Sequence, residues 1–200
     1  MIMTSPSLPA PPLSPQDFTA LVNRYQRPIF GFLFGLVQNS EQAHDLTQDT
    51  FCEAWRVARK PAPPFIGASQ PEAIKSWLFQ VAYHRAISAL RRHRLIFFES
   101  FEARAEHQPD YPDRSGSFEA DIAEREMMQA ALASLAPADA ACLLLRVVQG
   151  LSATEVAAIL GTSPDTIHKR LFHAKQRLRR AYLAQTDHSQ AAKRGREMHR

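Results

Sequence analysis

Between Pro164 and Leu178 the side chains able to meet a polyanion gather on one side of a helical period. At roughly 100° per residue, Lys169, Phe172, His173 and Gln176 share a face, with His168 and Lys175 at its margin. The opposite stripe is apolar, because Ile167, Leu171, Ala174 and Leu178 recur at helical spacing. Cations and amides donate to phosphate oxygens and base edges, and an outward ring can pack on a thymine methyl. A surface helix normally hides its aromatics, so Phe172 is the informative member of this face. The chemistry is recognition rather than bond making. The chain has no HExxH or Cys/His ligand pattern, no phosphate loop and no carboxylate cluster. No catalytic residue, cofactor or metal site is therefore expected.

The elements that must position this face can be read from their punctuation. Ser152 followed by Glu155 has capping-box spacing and starts a helix near Ala153. Gly161 supplies the left-handed stop, and Ser163-Pro164 restarts a helix as N-cap and first position. Helix, glycine turn and second helix over 150–178 form a helix-turn-helix, which points to DNA binding. A solvated basic helix is the commoner fate of an isolated charge run. The caps and turn ahead of it favour the DNA reader.

Charge is distributed in blocks. The 200 residues carry a net charge of +4, mild evidence for a polyanionic partner. Residues 17–95 hold ten Lys/Arg against six Asp/Glu, 96–126 three against nine, and 137–183 seven against three. Two basic modules thus flank an acidic connector. Cys52 and Cys142 are far apart and outside any CxxC pattern, as expected of reduced thiols in a cytoplasmic protein. No apolar run is long enough to span a bilayer, and the N-terminus lacks the regions of a secretion signal, so no membrane insertion is expected.

The rest of the chain reads as all-helical, in two small domains. A Pro/Ser-rich extension, 1–13, precedes a helix from Ser14-Pro15 toward Val37, which Pro28 should kink or split. Asn39 or Ser40 caps a helix to about Arg59. A proline-rich loop then leads to a helix over 72–94, and the N-terminal domain closes at 95. An acidic linker, 96–117, joins it to a C-terminal domain, 118–184, in which helices over 118–135 and 137–149 lead into the helix-turn-helix. This domain is expected to be a winged-helix-like bundle of four helices, and a flexible basic tail follows over 185–200.

Two further helix faces stand out. On helix 40–59, Asp45, Gln48, Asp49, Cys52 and Arg56 share an arc of roughly 100° opposite an apolar half. This is either a solvated face or a docking surface for a protein. On helix 72–94, His84, Arg85, Ser88, Arg91 and Arg92 share an arc of roughly 120°, with Trp77, Phe79 and Tyr83 interleaved. Aromatics beside cations suit a single strand, whose bases stack while its phosphates are held. Trp77 reads as a packing residue, and Phe79 and Tyr83 could serve either purpose.

Residues 43–56 (AHDLTQDTFCEAWR), 76–92 (SWLFQVAYHRAISALRR) and 132–179 resemble the second and fourth regions of bacterial RNA polymerase sigma factors. With no third domain and a short linker, the chain resembles the extracytoplasmic-function (ECF) group of the sigma-70 family. That resemblance implies a monomeric initiation factor without catalysis of its own, which binds core polymerase and promoter DNA. It implies that Asp45, Leu46, Gln48, Asp49 and Phe51 bind the β′ clamp helices, and that the fourth region meets the β flap. It implies that loop 61–71 and helix 72–92 melt the −10 element and hold a flipped base, with Lys75, Phe79, Tyr83, His84, Arg85, Ser88, Arg91 and Arg92 as contacts. The −35 element would be read by Arg146, Thr166, His168, Lys169, Phe172, His173 and Lys175. The group also implies an anti-sigma factor, and closure of the two domains on each other or on that inhibitor when polymerase is absent. His84 and Ser88 depart from the family pattern, which usually carries Asn and Asp there. The competing reading is an autonomous dimeric helix-turn-helix regulator on a palindromic site. It leaves the faces of helices 40–59 and 72–94 without a role.

Overall fold

The computed structural model describes residues 14–60, 71–99 and 118–197. The expected N-terminal extension, residues 61–70 of the proline-rich loop, linker residues 100–117 and the last three residues lie outside the described residues. Among the described residues seven α-helices follow in order: α1 Pro15–Val37, α2 Ser40–Ala58, α3 Pro71–Glu99, α4 Phe118–Ala133, α5 Pro137–Leu143, α6 Ala153–Leu160 and α7 Pro164–Glu197. A five-residue π-helical turn, Leu144–Val148, continues α5.

Local chemistry sets the helix starts. Ser14 Oγ accepts from the Asp17 amide at 3.2 Å, with Pro15 at the first position. Asn39 Oδ1 accepts from the Gln42 amide at 2.7 Å and opens α2. Ser152 and Glu155 close both arms of a capping box, at 3.2 Å from the Glu155 amide and 2.7 Å from the Ser152 amide. Gly161, at φ 65°, ends α6 in the left-handed conformation.

Some expectations change. Pro28 neither splits nor ends α1, which is continuous across it. Tyr25, Ile29, Phe32 and Leu33, buried on both sides of the proline, hold the helix together. Helix α3 runs to Glu99, past the expected boundary at 95, and α7 runs to Glu197, where a tail was expected from 185. Residues 184–197 carry Ala, Gln, Lys, Arg and Glu, all compatible with a helix, and only Gly195 opposes one strongly. No strand occurs among the described residues, so the four helices α4–α7 stand without a wing there.

Helices α1, α2 and α3 form a three-helix unit around Ile29, Phe32, Leu33, Leu46, Leu78 and Phe79. Phe32 and Phe79 meet edge to face at 5.3 Å, a geometry that adds to their burial. In the second unit Leu145, Val156, Ile159, Ile167 and Ala174 are buried together. Asp139 on α5 ties the unit to α7 by accepting from Arg177 at 3.1 Å and facing Arg170 at 3.7 Å.

The two units touch, and their buried residues form one continuous cluster. Leu144 packs onto Gly35 of α1, where a Cβ would lie 2.7 Å from its Cδ1. Lys75 Nζ donates to the Gln149 carbonyl at 2.6 Å, and Ser76 Oγ to Glu155 Oε1 at 3.3 Å. The π-turn presents that carbonyl, since its widened path sends the Gln149 amide back to Leu144 O at 3.0 Å.

Candidate nucleic-acid and polymerase interfaces

The α7 face is the most open of the three. Ile167 and Ala174 are fully buried, and on the far side His168, Lys169, His173, Lys175 and Gln176 are exposed. Phe172 is 59% exposed, with its ring edge-on to His173 at 5.5 Å. Among the described residues this large ring, held out beside Lys169 and His173, joins no core packing. Ser163 Oγ accepts from the Thr166 amide at 3.3 Å and pairs with Thr166 Oγ1 at 2.8 Å. Thr166 is therefore half-buried in the cap that starts the helix. Arg146 does not join this face. Its Nη1 donates to the Leu151 carbonyl at 2.8 Å, which secures the turn before α6, and its Nε is buried without a partner among the described residues.

On α3 the exposed members of the arc are His84, Ser88, Arg91 and Arg92. Phe79 is fully buried against Phe32, so it belongs to the core and not to a strand-binding surface. Its place on the helix period could not distinguish these outcomes, because α3 is covered on more than one side. Trp77 packs against the buried pair Val57 and Ala58, as a packing residue should. Tyr83 is half-buried, with its ring 5.7 Å from His84. Burial pushes its hydroxyl pKa up, and the nearby Arg170 and Arg91 partly oppose that shift. Lys75 and Arg85 are already partnered, Lys75 with Gln149 and Arg85 with Asp49 at 3.2 Å and Glu53 at 3.6 Å.

On α2, Asp45, Gln48, Asp49, Cys52 and Arg56 are exposed, and Leu46 and Phe51 are 6% and 8% exposed. Leu46 and Phe51 therefore hold the helix in place, and the polar trio Asp45, Gln48 and Asp49 is what a partner can reach. Glu53 was missed by sequence reasoning. It pairs with Arg56 one turn along α2 and with Arg85 across on α3. The charge spacing of Glu53 and Arg56 was visible, but the approach of α3 was not.

In the second unit Glu155 joins local and long-range roles. The Ser152 hydroxyl and amide hold its carboxyl below the usual range, aided by Ser76 and the charge of Lys75, with burial opposing. Burial pushes the Cys142 thiol up, with Asp139 adding to that shift and Arg170 and Arg146 opposing it. Cys142 is an inert core residue. Among the described residues no group of His, Cys, Asp or Glu could hold a metal ion, and no helix is long and apolar enough to cross a membrane.

Residues 21–96 match the Sigma-70 region 2 family, and residues 125–178 match the Sigma-70, region 4 family. Over 164 residues the chain is 28% identical to the ECF RNA polymerase sigma factor SigE of Mycolicibacterium smegmatis, covering 82% of this chain and 60% of that protein. It is 30% identical to the RNA polymerase sigma factor YlaC of Bacillus subtilis, covering 80% of this chain and 88% of that one. The fold is similar to the sigma factor RpoE of Bartonella quintana, solved with the anti-sigma factor NepR. There the TM-score is 0.68 at 25% identity, covering 83% of this chain and 96% of the other. The chain belongs to the ECF-type sigma-70 family of RNA polymerase sigma factors, with regions 2 and 4. This is a family of non-enzymatic factors that bind core RNA polymerase and direct it to promoters.

Proposed function

We propose that this chain is a monomeric, cytoplasmic initiation factor whose two units read the two promoter elements once α2 has seated on core polymerase. The observation that carries the reading is that one chain presents two separate basic, aromatic-edged faces, on α7 and α3, beside the polar face of α2. His168, Lys169, Phe172, His173 and Lys175 read the −35 duplex in the major groove. Tyr83, His84, Ser88, Arg91 and Arg92 take the displaced −10 strand, which needs cations and a stacking surface. Asp45, Gln48 and Asp49 bind the β′ clamp helices, and the second unit meets the β flap. An autonomous dimeric regulator would leave α2 and α3 without a task.

The packed arrangement is the form without polymerase. Elements named −35 and −10 lie some 25 base pairs apart, roughly 85 Å of duplex at about 3.4 Å per pair. Two units joined through Leu144, Lys75 and Ser76 cannot reach both elements at once, so promoter binding separates them. An anti-sigma factor of the kind seen with the Bartonella relative would act by favouring the closed pair. The test is to exchange Lys169 and His173 and determine the promoter preference of the reconstituted holoenzyme. Altered −35 preference with unchanged core affinity supports the assignment, and unchanged preference opposes it.

A further inference from the structure

Asp49, Glu53, Arg56 and Arg85 form a four-charge cluster between α2 and α3. Arg85 Nη1 lies 3.2 Å from Asp49 Oδ2, and its Nη2 lies 3.6 Å from Glu53 Oε2. Arg56 Nη2 closes on the same Glu53 oxygen. Asp49 and Glu53 stand four residues apart, so both carboxylates face α3 from one side of α2. Their accessibility differs in a useful way. The Asp49 side chain is 60% exposed and that of Glu53 is 24% exposed, with Arg85 at 30% between them. Asp49 is thus the outer end of the cluster, on the arc with Gln48, and Glu53 is the inner end. Arg85 belongs to the basic arc of α3, yet its charge is spent on α2.

We propose that Asp49, Glu53 and Arg85 couple the two surfaces: a cationic partner surface seated on α2 takes Asp49 from Arg85, and the guanidinium becomes available to a strand phosphate on α3. The coupling rests on the reading of α2 as the polymerase face and α3 as the strand face. Two arginines against two carboxylates are neutral together. Once Asp49 is engaged elsewhere, Glu53 serves two arginines and the remaining set carries one net positive charge. A guanidinium in that state can fork onto a phosphate. Linkage is reciprocal, so whatever removes Arg85 from Asp49 strengthens α2 for its cationic partner by the same factor. Part-exposed ion pairs are individually weak, so the coupling is about two- to five-fold.

The test uses the full chain and core RNA polymerase alone, with no DNA present. Affinity is measured by competition against a labelled wild-type chain. Asp49→Asn should weaken binding, and Arg85→Met should strengthen it by about two- to five-fold. The double variant should bind as Asp49→Asn does. Glu53→Gln leaves Arg85 to Asp49 alone, so it should weaken binding, and Arg85→Met should abolish that effect. Arg85→Lys keeps the charge and should stay near wild type, which separates charge release from a folding defect. A gain from Arg85→Met that persists beside Asp49→Asn, or no gain at all, overturns the coupling while the polymerase face stands. Wild-type affinity of Asp49→Asn itself overturns the polymerase face, and the coupling with it.

Discussion

Replacing Gly35 by leucine should separate the two units without unfolding either. A Cβ there lies 2.7 Å from Leu144 Cδ1 and 3.4 Å from its Cδ2, atoms at the free end of a side chain that can turn. For Gly35→Ala two effects oppose each other. Alanine in a helix interior gains about 1 kcal/mol over glycine, and forcing Leu144 off its rotamer costs about 0.5–1.5 kcal/mol. The melting transition should therefore barely move. Gly35→Leu cannot be relieved that way, since overpacking costs about 1–3 kcal/mol. That cost falls on the contact between α1 and the π-turn, and the Lys75 and Ser76 hydrogen bonds go with it. Small-angle scattering and far-ultraviolet circular dichroism decide the matter together. A compact chain of 200 residues has a radius of gyration of roughly 17 Å. For Gly35→Leu the measured radius should rise by several ångströms over wild type with the helical signal kept. An unchanged scattering profile would refute the reasoning, and so would a rise accompanied by loss of helix.

Other substitutions test other parts of the structure. Phe79→Ala should cost about 3–5 kcal/mol of stability in urea titration, whereas Phe79→Leu should leave −10 strand binding by holoenzyme unchanged. Glu155→Ala should cost about 1 kcal/mol through the lost cap, and Glu155→Gln should keep most of it. The Glu155 carboxyl is held low, so its stabilisation is complete above the ordinary carboxylate pKa and is lost as pH falls through the folded value. Urea midpoints between neutral and acid pH should fall less steeply for Glu155→Gln than for wild type. Gln48→Ala with Asp49→Ala should weaken competition for core polymerase and leave −35 preference as in wild type, and normal competition would count against α2 as that interface.

Much of this was legible in the chain, for reasons that differ by element. Caps and turns are local chemistry, so Ser152, Glu155, Gly161 and Ser163 located α6 and α7 closely. The open face of α7 was equally plain, because one apolar stripe buried against one core leaves a single outward side. Helix α3 was harder. It is packed by α1 and α2 and also by the second unit, so helical spacing could not tell Phe79 in the core from Tyr83 at the edge. Arg146, a contact implied only by the resemblance, carries no spacing signal for its place in the structure, where the π-turn sets its guanidinium on the Leu151 carbonyl. Partnerships across elements, such as Lys75 with Gln149 and Arg85 with Asp49, leave no trace in spacing at all.

The central claim is that these faces serve one initiation complex, and run-off transcription tests it directly. Purified chain added to core RNA polymerase should yield a specific transcript from a promoter template, with weak specific duplex binding by the chain alone. Tight binding of the isolated chain to a palindrome, with no transcript in the presence of core enzyme, would contradict it.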